Sequence, residues 1–171
     1  MLKKFLPNEH VKQVFDIHPS KLKQKGIKGI ITDLDNTLVA WDVQDATPEI
    51  INWFKQMKDY DIKVTIISNN NQERVKIFSE PLDAPFVYSA RKPLSRAFKT
   101  AAKQMGLNKQ DIVVVGDQLL TDVLGGNFAG FYTILVLPIV QTDGKITQFN
   151  RKIERRILNY MRKKGKITWE E

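Results

Sequence analysis

Four aspartates follow two apolar runs of this sequence at a spacing that could hold a cation. One run leads into the turn DLDNTL, which supplies Asp33 and Asp35, and the run IVVVG is followed by Asp117 and then Asp122. Carboxylates this close repel one another, and burying any of them is costly unless a cation or a hydrogen-bond donor compensates. Magnesium is the expected ion, because it accepts few protein oxygens and keeps several waters. The sequence therefore predicts a Mg²⁺ site formed by Asp33, Asp35, Asp117 and Asp122.

A serine and a lysine follow two further runs and would complete a site for a phosphoryl group. Ser68 ends the β-branched run IKVTIIS, and its hydroxyl and the neighbouring amides can bind an anion. Lys92 stands directly before Pro93, where a helix is predicted to start. A cation and a hydroxyl that face a magnesium site offset the charge on phosphoryl oxygens. Asn69 is expected to help hold the phosphate through its backbone.

Short apolar runs alternate with amphipathic stretches along the chain, which predicts an α/β fold. Five strands separated by helices form a Rossmann-like, doubly wound parallel sheet with helices on both faces. The carboxyl ends of such strands meet at one edge of the sheet, so the polar turns are expected to converge there. Predicted strands cover 27–34, 62–68, 86–88, 112–116 and 131–137, and predicted helices start at 47–48 and cover 72–78, 94–105 and 119–128.

The composition excludes several other chemistries and bounds the domain organisation. The 171 residues include no cysteine, which excludes disulfides, thiol nucleophiles and cysteine-ligated metals. Two histidines, His10 and His18, are too few for a histidine-built metal site, and both are expected to be structural or on the surface. The length predicts one domain, 1–171. Its parts are a basic segment at 1–26, a catalytic core at 27–137 and a basic amphipathic helix at 150–166.

The formal net charge of +8 is concentrated at the two ends of the chain. Residues 1–30 and 151–171 each carry +5, whereas residues 31–150 carry −2. Basic ends predict contact with an anionic surface, or else a solvated face. The apolar side of the C-terminal helix fits either a membrane interface or the protein's own core. No apolar run approaches the ~20 residues that span a bilayer, so a cytoplasmic protein is expected, with peripheral contact at the inner membrane surface.

The motifs resemble those of the haloacid dehalogenase-like (HAD) hydrolase superfamily. The resemblance rests on four motifs in order: DLDNT, a serine after the second strand, a lysine before a helix, and GD followed by a second aspartate. It implies that Asp33 is the nucleophile that forms an aspartyl-phosphate, and that Asp35 is the general acid and base. It also implies that Asp33, the backbone carbonyl of Asp35 and Asp117 bind the metal. Asp122 either binds the metal through water or orients Lys92, and the residues assigned to phosphate are Thr37, Ser68, Asn69 and Lys92.

Two short gaps limit the substrate. Nine residues separate Thr37 from Thr47 and 23 separate Ser68 from Lys92, too few for a folded cap domain in either place. The whole chain resembles the capless subfamily IIIA phosphatases related to phosphatidylglycerophosphate phosphatases, in GIKGIITDLDNTL, ISNN, RKP and VVGDQLLTDVLGGN. That resemblance implies hydrolysis of a lipid phosphomonoester, with oligomerisation as one way to close an open site.

Two alternatives to a lipid phosphatase stay open at this point. The first is a soluble phosphatase that acts on nucleic-acid ends, sugar phosphates or nucleotides. Aromatic residues that could stack on bases are sparse in both basic segments, which disfavours nucleic acid as a partner. The second is a binding protein with a relic site, which the retention of every charged residue disfavours because an idle carboxylate cluster costs stability.

Overall fold

Six parallel strands form one sheet in the computed structural model, which describes residues 2–141 and 145–169. Met1, residues 142–144 and residues 170–171 of the predicted domain lie outside the described residues. The strands are β1 (Glu9–Val11), β2 (Gly29–Thr32), β3 (Lys63–Ile67), β4 (Phe86–Val87), β5 (Ile112–Gly116) and β6 (Tyr132–Val136). Their order is β1-β6-β5-β2-β3-β4, which places β2 in the centre. Five strands are those predicted, and β1 is an additional edge strand paired with β6.

Among the residues that the structure describes, six α-helices connect or cover these strands, so the α/β, HAD-like fold class is confirmed. They are α1 (Pro19–Gln24), α2 (Pro48–Asp59), α3 (Gln72–Ser79), α4 (Ser95–Met105), α5 (Leu124–Ala129) and α6 (Lys145–Lys163). Local sequence explains where several of them begin and end. Thr47 caps α2 by accepting from Ile50 N, directly before Pro48, and Gly106 ends α4 at a φ of 65°.

Both faces of the central strand are buried, which is the reason that β2 reads as a continuous apolar run. Ile30 packs in a cluster with Phe54 and Met57 of α2, whereas Ile31 packs in a second cluster with Phe98 of α4. Successive side chains of a strand point to opposite faces, so two adjacent isoleucines serve two helix layers. This double burial holds the carboxyl end of β2 rigidly at the middle of the sheet.

The predicted helix at 119–128 is replaced by a wider turn followed by a shorter helix. Residues Leu119–Val123 form a π-type turn, because the carbonyl of Gln118 accepts from both Asp122 N (3.0 Å) and Val123 N (3.2 Å). The α-helix α5 then starts at Leu124. The wider turn carries Asp122 back over Gly116, where a Cβ added to the glycine would lie 2.2 Å from Asp122 Cγ. A glycine at 116 is therefore required by this close approach.

The C-terminal helix docks on the core. It runs from Lys145 to Lys163, starting earlier and ending earlier than the predicted 150–166. Leu158 and Met161 are buried with Leu119 and Leu135, and Ile167 covers the end of this cluster. Of the two alternatives for the apolar side, the structure shows docking on the protein itself.

The structure contains a short flap in place of a cap domain. The flap, residues 38–46, links the turn after β2 to α2, and residues 69–91 hold only α3, a short 3₁₀ turn and β4. Within residues 2–141 and 145–169 no segment forms a second domain over the sheet edge, as predicted. Among the same residues, no helix has the length and apolar character needed to cross a bilayer.

Candidate active site

The carboxyl ends of three neighbouring strands bring the predicted residues to one edge of the sheet. In register, Thr32 of β2 pairs with Val115 of β5 and Ile66 of β3. Asp33 continues the ladder, since its N–H donates to the carbonyl of Val115 at 2.9 Å. Asp117 follows β5 and Ser68 follows β3, so each comes out beside Asp33.

Three of the four predicted aspartates form a tight buried cluster. Carboxylate oxygens of Asp33, Asp117 and Asp122 lie within 4.8 Å of one another, and all three residues are buried. Lys92 reaches into this cluster, and its Nζ lies 2.6 Å from Asp33 Oδ1 and 2.6 Å from Asp122 Oδ1. Burial alone would lower the pKa of Lys92, but the facing carboxylates of Asp122 and Asp33 raise it above its ordinary value. Lys92 is therefore a fixed positive charge between two carboxylates.

Asp122 uses both of its oxygens within the protein. Oδ1 accepts from Lys92, and Oδ2 accepts from the backbone N–H of Gln118 at 3.1 Å. Burial raises the pKa of Asp122 to about 6, and the attraction of Lys92 limits the rise. This arrangement ties Asp122 to Lys92.

Asp117 contacts a basic residue that the sequence reasoning missed. The guanidinium of Arg151, on α6, is ion-paired with Asp117 Oδ2 and donates to the backbone carbonyl of Asp117 at 2.7 Å. The hydroxyl of Thr37 lies 3.1 Å from Asp117 Oδ1 and 3.4 Å from Asp33 Oδ2. Burial raises the pKa of Asp117 well above its ordinary value, against the opposing effect of Arg151. The Thr37 hydroxyl therefore bridges the carboxylates of Asp33 and Asp117.

Arg151 is in turn held by an acidic neighbour on the same helix. Glu154 Oε2 lies 3.4 Å from the Arg151 guanidinium, and Glu154 Oε1 accepts from the backbone N–H of Leu120 at 2.9 Å. Burial raises the pKa of Glu154 to about 7. One turn of α6 therefore contacts both Asp117 and the turn that carries Asp122. In the sequence, Arg151 and Glu154 have the ordinary i, i+3 spacing of a helix surface, and no signal marks them as partners of the site.

Asp35 lies beside the cluster and has partners of its own. Its Oδ1 accepts from Arg74 Nη2 at 2.9 Å and from Arg74 Nε at 3.2 Å, and its Oδ2 accepts from Asn70 Nδ2 at 3.2 Å. Burial and the nearby charge of Asp33 raise the pKa of Asp35, whereas Arg74 and Asn70 oppose the rise. Arg74 was not among the predicted residues, because a basic residue in the first turn of a helix has no distinguishing pattern.

Ser68 and Asn69 occupy the turn between the cluster and Asp35. Ser68 is buried, and its Oγ accepts from Asn70 N at 3.0 Å; a hydroxyl that accepts one hydrogen bond can still donate another. The Asn69 side chain accepts from the backbone N–H of Lys92 at 2.7 Å. Asn69 therefore fixes the segment that carries the lysine.

Comparison with known proteins identifies the family. A profile of the HAD-hydrolase-like family matches residues 89–161. A probable phosphatase of Bacillus subtilis strain 168, YqeG, is 62% identical in an alignment of 172 positions that covers 100% of each chain. The chain belongs to the HAD-like hydrolases. It is an enzyme of the phosphatase type within that family.

Two further proteins are similar to this chain, one in sequence and one in fold. A chloroplastic and mitochondrial phosphatidylglycerophosphate phosphatase of Arabidopsis thaliana is 28% identical over 94% of this chain, a match that spans 49% of that longer protein. The cobalt-bound deoxy-D-mannose-octulosonate 8-phosphate phosphatase of Haemophilus influenzae shares the fold of this HAD-like chain. Its TM-score is 0.57 at 18% identity, and the match covers 80% of this chain and 90% of that structure.

Proposed function

We propose that the protein is a magnesium-dependent phosphomonoester hydrolase that works through an aspartyl-phosphate on Asp33. We also propose that residues 1–171 form a single domain. The observation that carries the proposal is the buried cluster of Asp33, Asp117 and Asp122 with Lys92 between two of the carboxylates. Three buried carboxylates cost stability unless positive charge offsets them; Lys92 and Arg151 supply part of that charge, and a divalent cation would supply the rest. The Lys92 ammonium would also attract an anion beside that cation.

The donor set fits a magnesium ion. The cluster offers carboxylate oxygens with no nitrogen or sulfur donor among them, which suits a hard divalent cation. Asp33, Asp117 and the backbone carbonyl of Asp35 would hold the ion, and Asp122, whose oxygens accept from Lys92 Nζ and from Gln118 N, would orient Lys92. When bound, the ion supplies Lewis-acid stabilisation of charge on the phosphoryl oxygens.

Two displacements at phosphorus make up the reaction. In the first, an oxygen of Asp33 attacks phosphorus, the bond from phosphorus to the leaving oxygen breaks, and Asp35 donates a proton to that oxygen. In the second, Asp35 takes a proton from a water, whose oxygen attacks phosphorus while the bond to Asp33 breaks. Inorganic phosphate leaves, and Asp33 and Asp35 return to their starting states.

Four other groups hold the phosphoryl oxygens or the catalytic carboxylates. Lys92 offsets negative charge on the transferring group, and the Ser68 hydroxyl donates to one of its oxygens. The Asn69 side chain accepts from the backbone N–H of Lys92, and its own backbone N–H donates to the phosphoryl group. Thr37 keeps Asp33 and Asp117 together at the distances that the site needs.

The experiment that tests this proposal is phosphate release from a panel of phosphomonoesters, with and without Mg²⁺. Wild type is expected to turn over at least one substrate only when Mg²⁺ is present, and Asp33→Asn is expected to lose that turnover. Asp59→Asn is the matched control, because Asp59 is exposed at the end of α2, outside the site. Retained turnover in Asp33→Asn would refute the proposal.

For the substrate, we propose the lipid phosphate phosphatidylglycerophosphate, hydrolysed at the inner membrane surface to phosphatidylglycerol. Support comes from the 28% identical relative, from the open site without a cap, and from exposed basic residues on the outer side of α6. Each basic residue close to an anionic leaflet contributes about 1 kcal/mol of attraction. The outer residues of this kind are Lys152, Arg155, Arg156, Arg162 and Lys163.

One observation favours the competing class of soluble substrates, such as sugar phosphates, nucleotides or nucleic-acid ends. The apolar side of α6 is buried on the core, which leaves the basic side alone for a membrane. Turnover of phosphatidylglycerophosphate in detergent micelles, compared with the soluble panel, separates the two classes. Flotation with anionic liposomes, run beside oligonucleotide binding at equal salt, tests the membrane contact. No turnover of the lipid and no flotation would exclude the lipid assignment.

A further inference from the structure

Arg74 is a largely buried cation whose guanidinium faces Asp35. Nε and Nη2 both donate to Asp35 Oδ1, and Nη1 donates to the backbone carbonyl of Gln44 in the flap at 2.7 Å. The side chain of Arg74 is 12% exposed and that of Asp35 is 22% exposed. The ion pair is therefore shielded from bulk solvent on most sides, where a hydrogen bond between charged groups is stronger than on an open surface.

The position of this guanidinium is fixed from its own helix. Asn71 caps α3, and its side chain accepts from the backbone N–H of Arg74 at 2.9 Å. The ring of Phe78, one turn further along, lies 5.8 Å from the guanidinium carbon. A planar guanidinium held in this way orients a carboxylate more strictly than a lysine ammonium, which is a point charge on a flexible chain.

The flap and Asp35 are joined through the same side chain. An opening of about 320 Å³ lies between the flap and α3, and Trp41, Val43 and Arg74 are among the residues that line it. Arg74 lines this opening and also donates to Asp35, the residue that the proposed reaction uses at the leaving oxygen. One arginine thus sets both the rotation of that carboxyl group and the position of the flap backbone beside it.

We infer that Arg74 is a positioning residue for Asp35 in both proton transfers, an inference that rests on the proposed function. A general acid must lie within hydrogen-bond reach of the oxygen that it protonates, so its rotation decides its efficiency. In the first step Arg74 holds Asp35 at the leaving oxygen, which takes the proton as its bond to phosphorus breaks. In the second step Arg74 holds Asp35 at the attacking water. That water gives a proton to Asp35, its oxygen bonds to phosphorus, and the bond from phosphorus to Asp33 breaks.

The test compares two leaving groups in the full-length Mg²⁺ enzyme. p-Nitrophenolate leaves without a proton, whereas the alkoxide of glycerol phosphate needs one. In Arg74→Gln, kcat/KM for glycerol phosphate is expected to fall at least about tenfold more than kcat/KM for p-nitrophenyl phosphate, since well-placed acid catalysis contributes 10²–10⁴-fold. A burst of p-nitrophenol is also expected, because the second step still depends on Asp35. Arg74→Lys is expected to recover part of both effects.

The control is Lys76→Gln, a loss of the same charge from an exposed position on the same helix, which is expected to keep wild-type kinetics. Equal losses on the two substrates, or no loss on either, would overturn the role of Arg74 while leaving the proposed function in place. A wild-type enzyme that releases phosphate from neither substrate nor from any other phosphomonoester would overturn both.

Discussion

Replacement of Lys92 by methionine is expected to destabilise the metal-free protein strongly. The substitution removes one positive charge from between Asp33 and Asp122, whose side chains are 6% and 1% exposed. Removing one partner of a buried ion pair costs about 3–5 kcal/mol, because the remaining charge is left without compensation. A protein of this size loses roughly 2–4 °C of Tm for each kcal/mol. The Tm of Lys92→Met without metal is therefore expected to lie roughly 6–20 °C below that of wild type.

The pH dependence of this loss follows from the carboxylates. Burial raises the pKa of Asp122, and Lys92 limits that rise, so removing the lysine raises this pKa further. A carboxyl group with a raised pKa in the folded state favours folding at low pH and loses that contribution as the pH rises through the folded value. The stability deficit of Lys92→Met is thus expected to be larger near pH 8 than near pH 5.

The assay is thermal and urea unfolding in the presence of a chelator, repeated with Mg²⁺. Added Mg²⁺ is expected to raise the Tm of Lys92→Met more than that of wild type, because the unpaired carboxylates gain a cation. Lys99→Met is the matched control, since Lys99 is exposed on α4, and it is expected to melt as wild type does. A metal-free Tm of Lys92→Met within about 2 °C of wild type would refute the view that Lys92 compensates buried charge.

Two further predictions concern stability and the close packing of the site. Burial raises the pKa of Glu154 from 4.5 to about 7, so its contribution to folding is lost as the pH rises between these values, on the order of 3 kcal/mol in all. Glu154→Gln keeps an acceptor for Leu120 N and is expected to show a smaller fall in urea stability between about pH 5 and about pH 8, and curves parallel to wild type would contradict this. Gly116→Ala places a Cβ 2.2 Å from Asp122 Cγ. It is expected to lower the free energy of unfolding by about 1–3 kcal/mol, measured by melting, and to remove most of the phosphate release, measured by turnover. An unchanged enzyme would show that Asp122 can move without loss.

The position of the site could be predicted from the sequence because strand ends in a parallel sheet meet at one edge. Asp33, Asp117 and Ser68 each follow a run of buried β-branched residues, and that pattern fixes both the strand and the residue after it. The wide turn at Leu119–Val123 could not be predicted in the same way. It depends on one carbonyl that accepts two N–H groups, and apolar periodicity does not distinguish that turn from an ordinary helix.

The partners of the site could not be predicted, because they depend on where helices pack. Arg151 falls on the basic side of an amphipathic helix, yet docking of α6 turns it towards Asp117. Charge periodicity gives the polar side of a helix but not which neighbour that side meets. Strand β1 was missed for a related reason. Its three residues are too few for an alternating pattern, and pairing with β6 alone makes them a strand.

The contact between Arg151 and Asp117 connects the C-terminal helix α6 to the proposed active site. The guanidinium that grips the carboxylate projects from the same helix as the outward cations Lys152, Arg155 and Arg156. A force on these outer cations, from a charged bilayer or a fused tag, would therefore also act through Arg151 on Asp117, a ligand of the proposed ion. Helix α6 is thus part of the scaffold of the proposed site, and its removal would leave Asp117 without the Arg151 guanidinium.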